Sequence, residues 1–114
     1  MDALHLDAAH IGTDILTAVQ GVLNEDLPTL RDFVQAQLSG LAEQTVLVAK
    51  GLAVGWIDTA EEKAHWAKTL KDMATEFAKT LRALVVITIE KAVNAILAVL
   101  QGVFQSAAGM LLPF

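Results

Sequence analysis

An all-α fold is predicted for this 114-residue chain by three observations. Apolar residues recur at three- and four-residue steps along nearly its whole length, the spacing of one helix face. The strongest helix-breaking punctuation lies in a stretch around Pro28, another around Gly55, and at Pro113 near the end. Hydrophobic residues make up 54% of the chain and aromatics only 5%, so Ala, Val, Leu and Ile supply the apolar excess. One run, "LVVITI" at residues 84–89, has strand character, but helical periodicity flanks it on both sides. The architecture expected is a helical hairpin plus an N-terminal helix, with a very long C-terminal helix that packs in an oligomeric bundle. A single domain is expected, with helices at about residues 3–23, 28–54 and 59–110.

In the first helix Leu4, Ala8, Ile11, Ile15, Val19 and Val22 form the apolar stripe. The break after it contains Asp26, a side chain suited to an N-cap, and Pro28, which fits the first helical turn because its missing N–H has no partner there. The second helix buries Leu30, Phe33, Val34, Leu38, Leu41, Val48 and Leu52, and places Arg31, Asp32, Gln35 and Glu43 elsewhere. Ser39-Gly40 is its weakest point, where a kink is the alternative to continuity. Gly55 suits a C-terminal cap, and the next helix opens on a capping box made either by Asp58 with Glu61 or by Thr59 with Glu62. Trp56 and Trp66 flank that turn and are expected to pack against the core or the hairpin. The third helix sets Trp66, Leu70, Met73, Phe77, Leu81 and Leu84 against Lys68, Lys71, Asp72, Lys79 and Arg82. Its polar line continues through Glu90, Asn94, Gln101 and Gln105, within about 60° of one direction at about 100° per residue. On that phase the helix is expected to run unbroken past residue 84.

The consequence is a surface that needs a cover. An unbroken third helix is about 75 Å long and the second about 40 Å, so the hairpin shields only half of it. Residues 92–114 carry no charged side chain. Two covers are physically available, copies of the same chain and lipid. For copies, Ala95, Ala98, Gly102, Ser106 and Gly109 form a small-residue ridge that lets helices approach closely, and Gly51 with Gly55 repeats the spacing. Beside the ridge runs a polar strip of Glu90, Asn94, Gln101 and Gln105. For lipid, residues 92–112 have the length of about 20 that crosses a core of about 30 Å, and every Lys and Arg precedes them, as in a tail anchor or a pore-forming, holin-like protein.

Charge and motif content narrow the function classes. A net charge of −5 disfavours nucleic acid, whose binding rests on clustered Lys and Arg. With no cysteine, neither disulfides nor a thiolate metal site is available. The acidic start, Met1 to Asp7, lacks the basic lead of a cleavable signal peptide. Cytoplasmic synthesis followed by residence in an assembled particle or the inner membrane is therefore expected. No nucleophile elbow or phosphate-cradling loop is present, and no enzyme activity, cofactor or metal is expected. One metal-like spacing occurs, Glu62-x-x-His65, with weaker echoes in Asp2/His5 and Asp7/His10. The run "EEKAH" followed by "WAKTL", about ten residues, is similar to the iron-site helix of ferritin-like proteins, which implies a metal-binding protein as the weakest alternative. At the level of composition the whole chain resembles small Ala/Val/Gln-rich helical proteins of bacteriophages and related injection machines. That resemblance implies a self-associating structural component or, alternatively, a membrane-inserted one.

Overall fold

A computed structural model describes residues 7–23, 28–84 and 87–114, with side chains at 7–22, 34–83 and 87–114. It contains four helices: α1 (Ala8–Leu23), α2 (Pro28–Val54), α3 (Ala60–Leu84) and α4 (Ile89–Ala108). No strand occurs among the described residues. The first helix begins at Ala8, where the Asp7 carboxylate accepts the Ala9 N–H at 2.9 Å. The expected earlier start at residue 3, Leu4, the Asp2/His5 pair and the Asp26 cap fall outside the described residues.

Helix α2 has the predicted bounds and runs unbroken through Gly40. It ends because Gly55 adopts φ +86°, a conformation costly for any side chain but glycine's. Past that point the chain folds back, and the Ile57 N–H donates to the Gly51 carbonyl at 3.0 Å. Ile57 then lies directly on Gly51, where an added Cβ would meet the Ile57 Cδ1 at 2.8 Å. Gly51 thus serves an intrachain contact rather than the helix-pairing motif its spacing with Gly55 suggests. Of the two possible capping boxes the chain uses Thr59 with Glu62. The Glu62 N–H donates to Thr59 Oγ1 (3.1 Å), while the Thr59 N–H and hydroxyl donate to the Glu62 carboxylate (3.3 and 2.9 Å).

The largest departure from expectation is the division of the long C-terminal helix in two. Helix α3 stops at Leu84 and α4 starts at Ile89, after Thr88 in an extended conformation (φ −85°, ψ 120°). The sequence from Val85 to Ile89 is an uninterrupted β-branched run, and such residues lose side-chain freedom in a helix. Thr88 followed by Glu90 in the first turn then favours a fresh start there. The molecule's longest dimension is 39 Å, about half the length of the unbroken helix.

Successive helices pack side by side in antiparallel order. α1 and α4 close the ring, and α2 and α4 also meet across the middle, whereas among the described residues no Cα of α1 comes within 8 Å of one in α3. In cross-section the bundle is a rhombus with α2 and α4 on its short diagonal. The core along this diagonal is aliphatic with two phenylalanines, Phe77 and Phe104, fully enclosed. Its single buried polar side chain among the described residues, Thr45, donates to the Leu41 carbonyl of its own helix at 2.8 Å. From α4, Ala92, Val93, Ile96, Leu97, Leu100 and Phe104 are buried. The apolar face that the sequence leaves for an outside cover is therefore covered by α1, α2 and α3 of the same chain, because the break before Ile89 lets α4 double back.

Candidate functional site

The burial of one α4 face fixes what the opposite face presents. At about 100° per residue, Ala95, Ala98, Gly102 and Ser106 fall within about 40° of a line pointing away from the core. Ala98, Gly102 and Ser106 are exposed and Ala95 is half-buried. About 90° around the helix runs the line of Glu90, Asn94, Gln101 and Gln105. Glu90, Asn94 and Gln105 on that line are exposed. Beyond Lys91 this outer face has no charge, whereas a helix face turned to water ordinarily carries several. A Cβ placed on Gly102 would meet nothing within 4 Å.

Two members of the expected site have other duties. Gln101 is half-buried and clamps the C-terminal tail: its amide N–H donates to the Leu112 carbonyl at 2.7 Å and its oxygen accepts the Leu112 N–H at 2.9 Å. Leu112 is buried as a result, and Phe114 comes within 6.4 Å of Phe104, ring centre to ring centre. Gly109 ends α4 in the left-handed conformation (φ 67°, ψ 23°), its N–H donating to the Gln105 carbonyl at 3.0 Å. It caps the helix at the end of the ridge and is exposed there. Sequence reasoning missed the clamp, whose sole signal is a glutamine eleven residues before Leu112.

Between α4 and α1 lies a groove of about 420 Å³. Its α4 side is formed by Ala98, Val99, Gly102, Val103, Ser106 and Ala107, and its α1 rim by Asp7, His10, Ile11 and Asp14. His10 Nε2 sits 3.4 Å from the Asp14 carboxylate, both exposed to solvent to a large degree. The ridge is thus one wall of a shallow trough with small and aliphatic lining and an acidic lip.

The other candidate chemistry is not assembled among the described residues. Glu62 is occupied by its capping box, which holds its carboxyl below the usual 4.5: the Thr59 hydroxyl is the main cause and the Thr59 N–H the second. His65 is exposed and meets the edge of Trp66 at 5.2 Å. No group of three or more His, Asp or Glu able to hold a metal occurs among the described residues. Nor is any described helix long and apolar enough to cross a membrane. The span expected at residues 92–112 is interrupted by the turn at Gly109. Trp66 is half-buried against the core as expected, but Trp56 is 77% exposed, contrary to the packing role read from its position. No protein-family model, curated protein or solved structure matches the chain.

Proposed function

We propose that the chain is a non-enzymatic structural protein that assembles with copies of itself through the outer face of α4 and the groove beside α1. One observation carries this reading: the α4 face turned away from the core has only small and amide side chains from Asn94 to Ser106, with Gly102 open to close approach. Such a face gains little from water and offers a neighbouring helix a short axial distance, where backbone contact and amide hydrogen bonds contribute to association. The compositional likeness to phage and injection-machine proteins supports placing the assembly among such particles.

The test is the native mass of the purified chain by light scattering, with and without Gly102→Lys. A lysine there obstructs close approach without disturbing the core. A multimer that loses one level of association on substitution supports the reading; an unchanged mass removes α4 as the contact.

A further inference from the structure

A second helix face is as unusual as that of α4, and it lies on the opposite side of the molecule. The outer face of α2 presents Ala36, Gly40, Glu43, Leu47, Lys50 and Val54 at alternating steps of four and three, a coiled-coil seam. These positions lie within about 40° of one line. Leu47 is 63% exposed and Val54 58%, although the chain has ample aliphatic core elsewhere. Trp56, just beyond, continues the apolar run at the α2–α3 turn.

The pattern is self-complementary. Glu43 stands four residues before Leu47 and Lys50 three after it, and neither has a salt-bridge partner among the described residues. Two α2 helices laid antiparallel about a twofold axis beside Leu47 bring each Glu43 opposite the partner's Lys50, with the two Leu47 side chains between them. The same register sets Val54 against the partner's Gly40. There a depression of about 320 Å³, bounded by Gln37, Asp72, Met73 and Glu76, is open, and a Cβ on Gly40 would meet nothing within 4 Å. Parallel pairing would set Glu43 against Glu43 and Lys50 against Lys50, which like-charge repulsion disfavours.

We infer that the outer face of α2 is a second, twofold-symmetric contact with another copy of this chain, centred on Leu47 and fixed in register by Glu43–Lys50 pairs. Because α2 and α4 occupy the short diagonal and face outward in opposite directions, a copy using both contacts has a neighbour on each side. Growth then continues into a filament or a closed ring rather than stopping at a dimer. This last step rests on the α4 contact proposed above; the α2 contact stands independently.

Masses of four proteins separate the two. With both contacts present, the parent chain is larger than a dimer, Gly102→Lys gives a dimer, Leu47→Glu has a mass below the parent's, and the double variant gives monomers. If the α2 contact is absent, Leu47→Glu has the parent's mass, which overturns the inference whatever Gly102→Lys does. If only the α4 contact fails, the parent is a dimer that Leu47→Glu makes monomeric. Register is read by charge exchange: Glu43→Lys and Lys50→Glu should each lower the association constant at least tenfold, and the pair together should restore it. Failure of the pair to restore association would overturn the antiparallel register.

Discussion

Glycine residues in this chain have unlike reasons for being glycine, and the difference is measurable. Gly51 lies under Ile57, so Gly51→Ala forces an overlap at 2.8 Å that the helix-propensity gain does not offset. A net loss of about 1 kcal/mol in urea unfolding is expected. Gly21 has nothing within 4 Å of its missing Cβ, and Gly21→Ala should stabilise by about 0.5–1 kcal/mol. Both lie inside helices; the turn at Gly55, which lays Ile57 on Gly51, separates them. Glu62 shows the same dependence on local partners. Its carboxyl is held below 4.5 by Thr59, so the cap is at full strength above that pH and is lost as pH falls through the lowered value. Protection of the Thr59 and Glu62 amides, relative to their intrinsic exchange rates, should fall as pH drops below 4.5, and Glu62→Gln should abolish that pH-dependent loss of protection.

At the level of elements, the ends of helices differ in how firmly they are fixed. Thr59 makes a reciprocal capping box, whereas Thr88 caps α4 without a side-chain hydrogen bond. Thr59→Ala should therefore cost about 1 kcal/mol and Thr88→Ala only a few tenths, compared by thermal unfolding. The tail is held by Gln101. Gln101→Ala should release Leu112 and Phe114, costing about 1–3 kcal/mol for two lost hydrogen bonds, with exchange at the Leu112 amide becoming fast. The bounds of α2 were legible because Pro28 and Gly55 act locally, through a missing N–H and a positive φ. The break before α4 was not. Counted at about 100° per residue, the polar line from Lys68 to Gln105 runs through whether or not the helix is continuous between Leu84 and Ile89, so the periodicity does not register the break. The β-branched run and Thr88 held the signal, and periodicity concealed it.

For the whole molecule, the same break decides how much surface is left over. A continuous helix leaves its distal half bare; a fourth helix folded onto the other three buries Ile96, Leu100 and Phe104 inside the chain. What remains is not a greasy end but two outward faces, on α2 and α4, each weakly charged and each unlike an ordinary solvated helix. The candidate residues Ala98, Gly102 and Ser106 were legible as one face from their four-residue spacing. The exposure of Leu47 was not, because the apolar stripe of α2 from Val34 to Leu52 gives no hint of a second, outward apolar position beside Glu43.

The doubling back of the last third is tested most directly by one intrachain distance. The chain has no cysteine, so spin labels can be attached at Lys68→Cys and Gln105→Cys alone, both exposed positions, and diluted with unlabelled protein. With α3 and α4 antiparallel, the label separation should be below about 25 Å, the width of adjacent helices plus their linkers. A separation near 55 Å, the rise of 37 residues in one continuous helix, would contradict it.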